Sequence, residues 1–174
     1  DKSNFNGDIS SWDTSNVTTT SEMFRSAHIF NASLANWNTS KVQTFYAMFY
    51  DARAFNGDIR NWSTDVATNF QLMFKGAIVF NQDISAWNLK SATNMAQMFE
   101  TATVFNQDIS NWNVSSNRNA AAMFAGANAF NQDISGWDMS NVTDMSRMFL
   151  EARAFNKNIG GWNTASVTTM EYMF

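Results

Sequence analysis

The chain of 174 residues has no cysteine, no proline and only seven glycines, and just 15% of it is charged. Without cysteine there is no disulfide framework, no thiolate metal site and no cysteine nucleophile, and the redox compartment stays open. No apolar run approaches the roughly 20 residues that a membrane-spanning helix needs. The net charge of −4 disfavours phosphate backbones and anionic lipid surfaces, so nucleic acid is not an expected partner. There is a single histidine, too few for a zinc cluster, and no glycine-rich phosphate loop. An apolar content of 45% excludes a disordered tail. Set against these absences, asparagine is abundant, with 23 copies.

A period of 25 residues runs through the whole chain. Phe recurs at Phe5, Phe30, Phe55, Phe80, Phe105, Phe130 and Phe155. Every Trp falls in one column: Trp12, Trp37, Trp62, Trp87, Trp112, Trp137 and Trp162. Met-Phe recurs from Met23-Phe24 to Met173-Phe174, and an Ile or Leu column runs from Ile9 through Leu34 to Ile159. No insertion breaks the register, so residues 1–174 form a single repeat array of about seven copies.

Within a copy, Asn94 to Ala102 places apolar residues at i, i+3, i+4 and i+7, the spacing of one buried helical face. The residue opening each run (Thr19, Thr44, Asn69, Asn94, Asn119, Asp144, Thr169) is of N-cap type. Phe105 to Trp112 reads as a short extended segment flanked by turns, with Asn expected in the left-handed positions that Gly would otherwise fill. One copy cannot bury its own aromatics, so the copies must stack. The expected fold is an α/β solenoid of seven 25-residue coils, each with one short strand and one short helix.

The unit Phe-Asn-Gln-Asp-Ile-Ser-x-Trp-Asn (Phe80 to Asn88, Phe105 to Asn113), followed by Val-Thr-x-Met-x-x-Met-Phe (Val142 to Phe149), resembles the bacterial surface-protein repeat of listerial and mycoplasmal lipoproteins, related to BspA-like leucine-rich repeats. The resemblance covers all seven copies. It implies a leucine-rich-repeat-like solenoid at a cell surface or secreted, often assigned to adhesion, and no catalytic residues. Ser33 and Asn158 depart from the motif Asp, and Asn117-Arg118 from Val-Thr.

Three groups of residues are candidates for chemistry. His28 lies in a variable column with Arg53, Ile78, Thr103, Asn128 and Arg153, and nothing in the spacing supplies a triad. The Asp column (Asp8, Asp58, Asp83, Asp108, Asp133) admits two readings. Stacked carboxylates of Asp58, Asp83, Asp108 and Asp133 could hold Ca²⁺ between coils, or each Asp accepts backbone N–H bonds in an Asx-turn and no cofactor is needed. Sequons stand at Asn16, Asn31, Asn38, Asn61, Asn113 and Asn141, a number close to what the Asn, Ser and Thr content produces by chance, so glycosylation is allowed but not argued. The Met column reads as core filler. The Trp column reads as buried, because an exposed row would be a large sticky patch of the sort that binds sugars.

These readings converge on a non-enzymatic, extracellular or cell-surface, structural or adhesive repeat protein. Lys2 is a faint cap at best, Asp1 opens the chain without a leader, and Met173-Phe174 ends in mid-motif. Such ends suit head-to-tail stacking of copies into a fibre or excision from a longer array. The rival reading is a module that binds surface glycans or proteins along the polar face of the ladder.

Overall fold

A computed structural model describes residues 3–174, so Asp1 and the cap candidate Lys2 lie outside the described residues. The period of 25 is the length of one turn of the chain. Thr19, Thr44, Asn69, Asn94, Asn119, Asp144 and Thr169 bridge in parallel, each to its copy one coil on. The three aromatic columns stack in the same register. Successive rings of the Phe5 column lie 5.8 to 6.1 Å apart, those of the Trp column 6.2 to 6.5 Å, and those of the Phe24 column 5.5 to 6.0 Å. Within a coil the two Phe columns meet face to face, as in Phe49 on Phe55 at 3.8 Å.

The coils contain neither the helix nor the strand that the apolar spacing predicts, and the α/β, leucine-rich-repeat-like solenoid is the wrong fold class. Among the described residues there is no helix, and pairing is limited to single bridges. The pitch explains why. Packed helices need 8–10 Å between axes, yet the Phe24 column on the supposed helical side is spaced as closely as the other two. Nothing as wide as a helix fits into each coil unless the stack fans open on that side, and it does not.

The backbone instead divides its hydrogen bonds between two directions. In the segment after Thr44, the amides of Met48, Tyr50 and Ala52 donate within the coil to the carbonyls of Phe45, Ala47 and Phe49. The alternate amides of Phe45, Ala47, Phe49 and Asp51 donate across to the carbonyls of Asn69, Gln71, Met73 and Lys75 in the next coil. This chain of four-residue turns, each closed by an i+3→i bond, keeps Phe45, Met48, Phe49 and Ala52 buried, so it reproduces the i, i+3, i+4, i+7 pattern without i→i−4 bonds. The N-cap candidates make the local bond expected of them, as in Ala96 N–H to Asn94 Oδ1 at 3.1 Å, but a turn follows, not a helix.

Two positions per coil are left-handed, the third residue of each of two turns, as a type II turn requires. They are Glu22 and Ser26, Ala47 and Asp51, Leu72 and Gly76, Gln97 and Thr101, Ala122 and Gly126, Arg147 and Glu151, and Tyr172. No asparagine is among them, so the expected role of Asn is also overturned. Its role is that of a side-chain acceptor. Asn31 N–H donates to Asn6 Oδ1 at 2.9 Å, Asn56 N–H to Asn31 Oδ1 at 2.7 Å, and the ladder continues to Asn156 on Asn131.

Holding an L side chain in the left-handed region costs about 1–2 kcal/mol. β-Branched Thr101 (φ 57°) is the worst fit and, being exposed, has little packing to lose. Thr101→Gly is therefore expected to stabilise by about 1 kcal/mol, raising the melting temperature by about 2–4 °C. Gly126→Thr should lower it by at least as much, because a Cβ at Gly126 would sit 3.2 Å from Thr101 Cγ2. Thermal melts of the two variants check both signs.

Candidate functional site

The stack consumes most of the chemically interesting columns. Trp37, Trp62, Trp87, Trp112, Trp137 and Trp162 are buried, as the sequence reading favoured, and only Trp12 in the first coil is exposed. Each buried indole N–H donates to an Ile or Leu carbonyl one coil back, for example Trp87 Nε1 to Ile59 at 3.3 Å and Trp112 Nε1 to Ile84 at 3.0 Å. Inner members of the Met column, such as Met73, Met98 and Met123, are fully buried. These rows are therefore not a sugar-binding surface.

The Asp column folds as a row of Asx-turns. Asp8, Asp83, Asp108 and Asp133 accept the backbone N–H of the serine two residues on at 2.9 to 3.0 Å. Asp58 accepts Arg60 N–H at 3.1 Å and its guanidinium at 3.0 Å. The motif departures keep the bond: Asn158 accepts from Gly160 and Ser33 from Ala35. The Ser110 backbone and hydroxyl hold the Asp108 carboxyl below the usual range, outweighing slight burial and the like charges of Asp133 and Asp83. The same kind of bond depresses Asp8, Asp58, Asp83 and Asp133. Among the described residues no three His, Asp or Glu side chains gather as a cation site. The carboxylates stand one per coil, each already engaged by its own backbone, so the geometry lends no support to a calcium ladder.

His28 Nε2 lies 3.0 Å from Asp51 Oδ2, and Arg53 Nε donates to Asp51 Oδ1 at 2.8 Å. Burial opposes ionisation of Asp51, but Arg53 and His28 outweigh it and keep its carboxyl below the ordinary range. Asp51 is the one side chain paired with His28 among the described residues, so the group is a surface charge cluster and brings no nucleophile to the imidazole. Beside it, Tyr50 sits between Arg25, 4.7 Å from its ring centroid, and Lys75 at 6.0 Å, while Lys75 pairs with Glu100 at 2.8 Å.

All six sequon asparagines are exposed. Asn16 accepts Lys41 Nζ at 2.8 Å, and Asn31 is a rung of the Asn ladder. Asn38 and Asn113 each accept the backbone N–H and hydroxyl of their own sequon serine. Asn141 Nδ2 donates to the Ser115 carbonyl at 2.9 Å. Asn61 is the remaining exposed member. The departure Asn117 is buried and accepts Asn119 N–H at 3.4 Å.

One concavity was not anticipated. A groove of about 340 Å³ crosses five coils, floored by Ala96, Ala121 and Ala122 and rimmed by Gln71, Gln97, Asn119, Ser146, Arg147 and Glu171. It opens where Ala96 and Ala121 take the column position held by Tyr46 and Gln71 in the two coils before them. That step from large to small was readable in the sequence, but only once the column was known to face outward.

The Asx-turn account fixes the sign of the acid response. Carboxyls depressed in the folded state stabilise it fully above the unfolded Asp value of about 3.9, and that stability is lost as pH falls through the lower folded values. Thermal melts should therefore be flat from neutral pH to about pH 5, fall below about pH 4, and ignore excess chelator. At neutral pH, Asp108→Asn, which keeps an acceptor but loses the charge, should melt slightly below the parent, and Asp108→Ala should lose about 0.5–1.5 kcal/mol. A chelator-sensitive melt would reinstate the cation.

No curated protein and no solved structure matches the chain. A family model does, twice, over residues 1–107 and 68–174, so that together the matches span the whole array. The chain belongs to the family described as Mycoplasma protein of unknown function, DUF285.

Proposed function

We propose that the chain is a non-enzymatic structural and adhesive module acting outside the cell, a stack of like coils that can add further coils, of its own chain or of a second copy, by the same bonds. The observation that carries this reading is the identity of the inner junctions, which makes the face of any coil a match for the next. Inner junctions place three kinds of bond: a Trp indole on an Ile or Leu carbonyl, an Asn amide on an Asn side chain, and alternate amides on the carbonyls of the next coil. Among the described residues the indole of Trp12 and the amide of Asn6 make no such bond, unlike their copies Trp37 and Asn31 one coil on. The last coil presents their complements, Ile159 carbonyl and Asn156 Oδ1, together with the amides of Met170, Tyr172 and Phe174. Apolar surface is exposed at both faces, with Phe5 40% and Trp12 53% accessible at one, and Tyr172 62% and Phe174 73% at the other.

A contact between unlike faces that repeats the step from coil to coil continues the stack, so it grows into filaments. The resemblance of the repeat to those of listerial and BspA-like surface proteins supports the extracellular setting and the adhesive role. Sedimentation of the 174-residue chain should give masses that rise without limit as concentration increases. Trp12→Arg, which spoils one face and leaves the inner coils intact, should sediment at 19.6 kDa. A parent chain that stays at 19.6 kDa over the whole concentration range would overturn the stacking.

The groove over Ala96 and Ala121 favours a second reading, a glycan-binding surface in which Gln71, Gln97 and Asn119 supply amide donors and acceptors along an extended chain. On a glycan array it requires one saturable sugar whose binding is lost when Ala121→Trp fills the floor. Absence of any saturable sugar would dismiss it.

A further inference from the structure

Seven asparagines form the ladder column from Asn6 to Asn156, and two of them precede a glycine. Around those two the chain repeats itself letter for letter, as Phe5-Asn6-Gly7-Asp8-Ile9 and Phe55-Asn56-Gly57-Asp58-Ile59. After the other five stands a residue with a Cβ: Ala32, Gln82, Gln107, Gln132 or Lys157. An asparagine side chain is open to attack by the amide nitrogen of the next residue, and glycine, having no Cβ, lets that nitrogen reach the side-chain carbonyl carbon. Local chemistry therefore makes Asn6 and Asn56 equally reactive, and any difference between them is set by the fold. We propose that Asn6 is a self-modification site, converted in the folded chain to aspartate and isoaspartate, and that the stack shields Asn56 from the same reaction.

The reaction needs only water. The Gly7 amide nitrogen bonds to Asn6 Cγ, the Cγ–Nδ2 bond breaks, and ammonia leaves with the amide proton, closing a succinimide ring. Water then adds its oxygen to either ring carbonyl and returns a proton to the Gly7 nitrogen. One opening gives aspartate, the other a backbone routed through the side chain. Ring closure requires the Asn–Gly link to swing free of its surroundings, and there the two copies part. Gly57 is buried, and its backbone runs so close to the coil before it that a Cβ would stand 2.3 Å from the Ala32 carbonyl oxygen. The Asn56 N–H is tied to Asn31 Oδ1 at 2.7 Å. Asn6 and Gly7 are both exposed, and among the described residues a Cβ at Gly7 would meet only the Phe5 ring, at 3.2 Å. The bond that the two copies share does not separate them: Oδ1 of each accepts the amide of the next coil, from Asn31 and Asn81, at 2.9 Å. A coil laid over the first face, of this chain or of a second copy, would cover Gly7 as the coil of Ala32 covers Gly57, so the modification marks a face left open. The site itself stands without the stacking reading, which bears only on what would cover it.

Peptide mapping by mass spectrometry tests this on the Trp12→Arg chain, in which an end contact cannot hide Gly7. While the folded protein is held in mildly alkaline buffer, the peptide carrying Asn6 should gain one mass unit and separate into aspartate and isoaspartate forms. Asn56 should change at least about tenfold more slowly, because its coil must open first. In denaturant the two sites should react at equal rates, since their neighbours are identical. Gly7→Ala, whose added methyl meets only the Phe5 ring, should suppress the first reaction and leave the melt unchanged. An unmodified Asn6, equal rates in the folded chain, unequal rates in denaturant, or a reaction indifferent to Gly7→Ala would each overturn the proposal.

Discussion

Parallel aromatic rings stacked coil upon coil set the pitch of this molecule, and the rest of the backbone has to comply with it. Rings attract best at centroid separations of about 4.5–7 Å, and all three aromatic columns lie within that range, the Trp column at 6.2 Å or more and the Phe24 column near 5.6 Å. Because the columns are distributed around the coil, the rise is small on every side. A leucine-rich repeat escapes this limit by curving, with narrow strands on one side and wide helices on the other. Here the rings leave no wide side, and the chain turns repeatedly where a helix would have been.

That solution explains the composition. A turn chain that sends alternate amides to the next coil needs left-handed residues at two points per coil, and the cost is borne mostly by residues with side chains, not by glycine. Proline would remove an amide from one ladder or the other. Side-chain acceptors then satisfy the amides that the turns leave over. Asn, Asp, Ser and Thr take amides two residues on, Asn6 to Asn131 take the amide one coil on, and buried Thr39 and Thr64 donate to carbonyls one coil on at 2.8 and 2.9 Å. No buried side-chain polar atom among the described residues is left without a partner.

Much of this was legible before any coordinates. The columns identified the coil length, the buried face of Phe45, Met48, Phe49 and Ala52, the burial of Trp, and the Asx-turn alternative for the Asp column. The helix was misread because its apolar period is not unique to it. Turns with left-handed third residues return side chains to the core at the same spacing, and hydropathy carries no trace of φ. A correct reading needed the spacing between copies, since aromatic columns on all sides of a 25-residue coil already exclude a helix in each. The groove over Ala96 and Ala121 was visible as a column but had no meaning until inside and outside were known.

The close-pitched turn stack is tested most directly by amide contacts in solution, measured as nuclear Overhauser effects on the isotopically labelled protein. The account predicts coil-to-coil contacts between residues 24 and 25 apart throughout Thr44 to Ala52, such as Phe49 amide with the backbone of Met73, and positive φ at Ala47 and Asp51. A continuous run of helical i to i+4 contacts over Phe45 to Ala52, with negative φ at Ala47 and Asp51, would contradict it.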